Sequence, residues 1–126
     1  MERNIILGTD WWTDCDDIAA ARIVCRAHRK GLWRFRGAVL DACMEYSAPS
    51  LNAFLGSEGL PDVPITVDLD ATDFTGTLSK YQENMTKALP HQIPRNVETP
   101  RPLPFLKSLL SACPDDSAEL IEIGFP

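Results

Sequence analysis

The segment Ile5-Ile6-Leu7-Gly8-Thr9-Asp10-Trp11-Trp12-Thr13-Asp14-Cys15-Asp16-Asp17 decides how this chain is read. Ile5 to Leu7 is a continuous apolar run, which suits a strand buried on both faces. A carboxylate-rich loop follows, from Asp10 to Asp17. From Asp16 to Lys30 the apolar positions recur with helical spacing. Ile18, Ala21, Val24 and Cys25 share one face, while Arg22, Arg26, Arg29 and Lys30 point outward. Acids at the start of this helix and bases at its end both suit the helix dipole. Gly31 is its natural stop.

The same alternation continues downstream. A second strand is expected over Phe35 to Leu40. A helix over Ser47 to Leu55 follows, with Ser47 as N-cap and Pro49 tolerated in the first turn. Gly56, Gly59 and Pro61 break that helix, and Pro64 to Val67 reads as a third strand. Asp68, Asp70 and Asp73 mark a second acidic loop that runs through Gly76, before a helix from Leu78 to Leu89. Pro90, Pro94, Pro100, Pro102 and Pro104 make residues 90 to 104 an extended loop, because proline removes donors and fixes φ. A short helix over Phe105 to Ala112 and a last strand over Ala118 to Ile123 complete the pattern. Strands alternating with helices imply an α/β fold: an open, mainly parallel, Rossmann-like sheet with helices on both faces. The whole of 1–126 reads as a single α/β domain. The sequence stops at Ile123-Gly124-Phe125-Pro126, directly after a strand that a parallel sheet would cover with another helix. It therefore reads as a fold cut after about four strands.

Composition narrows the function. The chain has 126 residues, suited to one domain. Its 12 Lys and Arg against 18 Asp and Glu leave a net charge of -6, which disfavours phosphate backbones, so nucleic acid is not an expected partner. Apolar stretches are too short to span a bilayer, and the first residues lack a signal-peptide core, so no membrane partner and a cytoplasmic location are expected. Cys15, Cys25, Cys43 and Cys113 form no C-x-x-C pair, which suits reduced thiols and argues against zinc.

The loop after the first strand carries the chemistry. In open α/β sheets, ligands bind beyond the carboxyl ends of the strands. Four carboxylates (Asp10, Asp14, Asp16 and Asp17) fall within eight residues there. Like charges so close raise one another's pKa values. A hard cation such as Ca²⁺ or Mg²⁺ relieves that cost, since carboxylate oxygens are its preferred ligands. Helix capping is the alternative, and it accounts for one or two of the acids. No G-x-G-x-x-G is present, so a dinucleotide fingerprint is absent. Asp41 ends the second expected strand. It is a candidate substrate-binding residue facing the same cleft as Asp10, with a turn or cap role as the alternative.

This segment resembles the N-terminal signature of the inosine-uridine-preferring nucleoside hydrolase family, one branch of which carries the pattern D-T-D-x-G-T-D-C-D-D. Thr9-Asp10 and Thr13-Asp14-Cys15-Asp16-Asp17 match it. Gly37 to Leu40, Asp62 to Ile65 and Glu119 to Gly124 look like successive strands or strand entries of that family. The resemblance implies that the chain is the N-terminal portion of such a fold, and that it takes part in Ca²⁺-dependent hydrolysis of the N-glycosidic bond of a small-molecule nucleoside. It implies Asp10 as a metal ligand and as the catalytic base that activates water. Asp17 would be a second calcium ligand, using both oxygens, and Asp16 would accept a hydrogen bond from a ribose hydroxyl. Asp14 belongs to the signature without an assigned role. Assembly as a homo-oligomer stays open.

The chain departs from the family pattern at three points. Gly8 stands where the family has its first Asp, Trp12 stands where it has a glycine, and family members are much longer. With few ligands on hand, the isolated chain is expected to show negligible hydrolysis. The two tryptophan rings are able to stack on a sugar or base, to block the pocket, or to pack into the core.

Two readings from other classes stand beside this one. Asp68, after the third strand, mimics the phosphate-accepting Asp of a phosphorelay receiver domain. A non-catalytic binding remnant of the hydrolase fold is the other. His28 and His91 lack partners at ligand or triad spacing, and Ser47 and Ser50 lack a nucleophile elbow. A carboxylate neighbourhood disfavours a nucleophilic thiolate at Cys15.

Overall fold

A computed structural model describes residues 2–12, 15–72 and 80–124. Within them the element order is β1 (Arg3–Thr9), α1 (Asp16–Arg29), β2 (Trp33–Leu40), α2 (Ser47–Ser57), β3 (Ile65–Val67), α3 (Lys80–Ala88), a 3₁₀ turn (Asn96–Glu98), α4 (Pro102–Ser111) and β4 (Ala118–Glu122). The strands form one four-stranded sheet in the order β3-β2-β1-β4, and every pair in it is parallel. The expected α/β architecture is what the chain adopts.

The two faces of the sheet follow from side-chain alternation. On β1, Ile5, Leu7 and Thr9 share one face, and Asn4, Ile6 and Gly8 share the other. All six are buried, which is why this strand reads as an unbroken apolar run rather than an alternating one. The first face carries the main core: Ile5, Leu7, Phe35, Ala38, Leu40, Ile65 and Val67 meet Ala21, Val24 and Cys25 of α1 and Ala48, Leu51, Phe54 and Leu55 of α2. A register shift between Ile5 and Ile6 places Phe35 and Ala38 on the same face despite their odd spacing. The second face is covered by α4. A Cβ on Gly37 would stand 2.7 Å from Leu109 Cδ1 and 3.0 Å from Phe105 Cζ, so the glycine admits that helix to the sheet.

Helix α1 ends as its sequence indicates. Gly31 has φ of 72°, its N–H donates to the His28 carbonyl, and the Leu32 N–H donates to the Ala27 carbonyl. That is a Schellman motif, in which glycine takes the left-handed position. The other end of the α1–β2 connection uses His28, whose Nδ1 accepts the Phe35 N–H at 3.0 Å. Glu58 just after α2 binds Arg22 and Arg29 of α1, each at 2.8 Å, and ties the two helices together.

Two helix starts differ from expectation. The cap position of α2 is Tyr46 rather than Ser47. The Ser47 hydroxyl is turned back to accept the Met44 N–H at 2.9 Å, and the capping acceptor for Ala48 N–H is Asn96 Oδ1, also at 2.9 Å. A buried side chain distant in sequence thus does what a local cap would do. Helix α4 begins at Pro102, not Phe105, so the proline-rich loop is shorter than its composition suggests. Proline is compatible with the first helical turn, where the N–H groups have no intrahelical partner. The expected helix from Leu78 is described from Lys80 onward, and Asp73 and Gly76 lie outside the described residues.

Candidate functional site

The strand order brings three chain ends to one place. In a sheet ordered 3-2-1-4 the chain reverses its direction of travel between β1 and β4, and the crevice beyond the carboxyl ends of those strands is where ligands bind in such folds. Asp10 leaves β1 there. Asp41 leaves β2 beside it, with its N–H donating to the Thr9 carbonyl at 3.1 Å. Gly124 follows β4, after Ile123 N–H has bonded to the Gly8 carbonyl at 2.9 Å. A Cβ at Gly124 would lie 2.7 Å from the Asp10 nitrogen and against the Asp41 carboxylate. The absence of a side chain at 124 lets the three ends converge. Asp10 and Asp41 are therefore neighbours.

Asp17 enters from the first turn of α1 and is 4% exposed. Thr9, at the end of β1, donates its hydroxyl to Asp17 Oδ1. Burial pushes the Asp17 carboxyl up from 3.8 to about 6. The Thr9 hydrogen bond opposes that rise, while the charges of Asp10 and Asp16 and a hydrogen bond with the Asp10 carboxyl add to it. Asp10 and Asp17 thus lie as neighbouring carboxyls, and each disfavours the ionised form of the other. Asp16 is exposed beside them on the same turn. Asp14 and Thr13 lie outside the described residues.

Trp11, directly after Asp10, is fully buried. Its ring packs at 5.4 Å from Phe54 and edge-on at 6.0 Å from Tyr81. The indole N–H donates to Ser50 Oγ at 2.9 Å, and that hydroxyl donates to the Ser47 carbonyl at 3.1 Å. Of the alternatives open for the tryptophans, core packing holds for Trp11. Trp12 is half-buried, and its backbone N–H donates to Asp10 Oδ1 at 3.1 Å.

Three residues belong to this region without any sequence motif to mark them. Glu122 of β4 pairs with Gly8 in register, and its carboxylate lies over the Gly8 α-carbon, in the volume a side chain at position 8 would fill. Its Oε1 accepts the Gly124 N–H at 2.8 Å. Ser50 and Gln82 hold Trp11 from α2 and α3, Gln82 by donating its side-chain amide to the Trp11 carbonyl. Nothing in the spacing of an isolated Ser or Gln distinguishes these from ordinary helix residues.

The donor chemistry is suited to a hard cation, though only as a partial set. Among the described residues no group of three or more His, Cys, Asp or Glu side chains is arranged to hold a metal ion. Asp10 and Asp17 offer two carboxylates, fewer oxygens than calcium's usual complement of about six to eight.

Asp68 lies elsewhere. It follows β3, the edge strand, with β2 between it and β1, and its Oδ1 accepts the Asp70 N–H at 3.1 Å. His91 and Cys15 are exposed outside the crevice's carboxyl pair. Among the described residues, no helix is long and apolar enough to cross a membrane. Comparison with protein-family models, with curated proteins and with solved structures finds no match to this chain.

Proposed function

We propose that this domain binds a divalent cation of the calcium class through Asp10 and Asp17, and that it belongs to a nucleoside-hydrolysing site of the kind its T-D-C-D-D run resembles. One observation carries the reading. A buried carboxylate, Asp17, is held in contact with a second, Asp10, at the switch point of a parallel sheet. Such a pair is costly to keep ionised without a cation, and its position is the one where α/β folds take ligands.

Bound calcium supplies a more acidic water and a fixed anchor for ribose hydroxyls. Asp10 accepts the proton of the attacking water. The C–N bond breaks with its electron pair leaving on the base, which takes a proton from solvent, while the sugar develops positive charge that the water oxygen quenches by bonding to the anomeric carbon. The carboxylates of Asp10 and Asp17 stabilise that charge from within hydrogen-bonding range of each other. Asp16, exposed on the first turn of α1, accepts a hydrogen bond from a ribose hydroxyl, and Asp41 flanks the sugar from β2.

A second reading is favoured by the ligand count. Calcium takes about six to eight oxygens, and two carboxylates leave most of them to water and substrate. The same site then serves binding without turnover. Receiver-type sheets set the third strand beside the first, whereas here β2 separates them.

Calorimetric titration with Ca²⁺ tests the reading. Weak binding is expected, and it should vanish in an Asp10→Asn, Asp17→Asn double variant. Equal binding by the variant would sink the assignment. Release of free base from inosine or uridine separates hydrolysis from binding. Negligible release by these 126 residues alone is expected.

A further inference from the structure

We propose that Gln82 of α3 is a positioning residue for the carboxylate pair: it locks the peptide between Trp11 and Trp12, and so fixes where Asp10 stands relative to Asp17. Trp11 has φ of 53°, a left-handed conformation that a bulky side chain adopts only under constraint. The constraint is visible at each of its polar groups. Its N–H donates to Thr9 Oγ1 at 3.0 Å, its indole N–H donates to Ser50 at 2.9 Å, and its carbonyl accepts from Gln82.

These bonds reach both carboxylates. The Thr9 hydroxyl that accepts the Trp11 N–H also donates to Asp17. On the other side, the Trp11 carbonyl and the Trp12 N–H belong to one peptide plane. Gln82 holds the carbonyl end of that plane, and Asp10 Oδ1 accepts from its N–H end at 3.1 Å. A peptide is planar, so its two ends cannot turn independently. Gln82 is only 2% exposed, so water does not replace its amide when it is removed. Without that donor the plane is free to rotate, which relieves the strain at Trp11 and withdraws the N–H from Asp10.

The lock does not depend on the proposed function; only its effect on calcium does. In the full chain, the Gln82 side-chain amide protons should exchange with solvent far more slowly than those of exposed Gln92. Equal exchange overturns the proposal and needs no variant. In Gln82→Met, the Trp12 amide should exchange about tenfold faster relative to the amides of β1 and β2. Phe105→Leu, on the opposite face of the sheet, should lower stability without that local change. Unchanged Trp12 exchange in Gln82→Met, or equal acceleration in Phe105→Leu, contradicts the proposal. Calcium affinity, if present in the parent chain, should fall about tenfold in Gln82→Met and hold in Phe105→Leu. A parent chain that binds no calcium removes the proposed function, while the exchange results still decide the role of Gln82.

Discussion

The chain has two acidic loops at the carboxyl ends of strands, one after β1 and one after β3, and they differ in what the sheet does with them. The loop after β3 sits at the edge. Asp68, Leu69 and Asp70 are exposed, and the Asp68 carboxylate closes a local turn on the Asp70 N–H. The loop after β1 opens at the point where the strand order reverses, between β1 and β4. There Asp17 is buried, the Asp10 carboxyl is its hydrogen-bonding neighbour, and Thr9, Ser50 and Gln82 pin Trp11. Both loops look like acid clusters in one dimension. Among the described residues, sheet position separates them: Asp17 after β1 is buried and Asp68 and Asp70 after β3 are exposed, and holding a carboxylate out of water carries an electrostatic cost that a cation would relieve.

Trp11→Ala should break the contrast most severely. It removes a fully buried ring from beside Phe54 and Tyr81 and strands the Ser50 hydroxyl. A loss of about 3–5 kcal/mol in denaturant unfolding is expected. A loss below about 1 kcal/mol would mean that Trp11 is not held in the core.

Asp17→Asn should sharpen it in the opposite direction. The Asp17 carboxyl rises from 3.8 to about 6 on folding, chiefly through burial, so the folded chain disfavours the ionised form. The cost is complete above about pH 6 and fades as pH falls toward 3.8. Asn keeps an acceptor for Thr9 and removes the charge. The variant should be more stable by about 1–2 kcal/mol at pH 8, with the gain disappearing toward pH 4. Thermal unfolding across that range checks it, and equal stability at all pH values would contradict it.

Asp68→Asn should do least. Its side chain still accepts the Asp70 N–H, and the site is exposed. Stability should stay within about 0.5 kcal/mol, and any calcium binding should be unaffected. A loss of calcium binding here would place the cation at the wrong loop.

Much of this architecture is written locally. The apolar run Ile5-Ile6-Leu7, the periodicity of α1 and the glycine stop at Gly31 rest on neighbours a few residues apart, and the structure follows them. Strand order is different, because it is set by pairings such as Gly8 with Glu122 that no local pattern encodes. The same limit hides the site's supports. Asn96 caps α2 from 48 residues away, and Gln82 reaches Trp11 across 71. The acids of the candidate site were legible, since four of them within eight residues demand an explanation. The fate of Trp11 was not, because a ring beside a ligand loop and a ring in the core have the same sequence signature.

At the centre of the site, Asp17 is a buried carboxyl beside that of Asp10. Carbon-detected NMR titration of the aspartate side chains measures this directly. The Asp17 carboxyl should titrate near 6 and shift downward in Asp10→Asn, which removes the neighbouring charge. Titration of Asp17 near the ordinary value of 3.8, unmoved by Asp10→Asn, would contradict it.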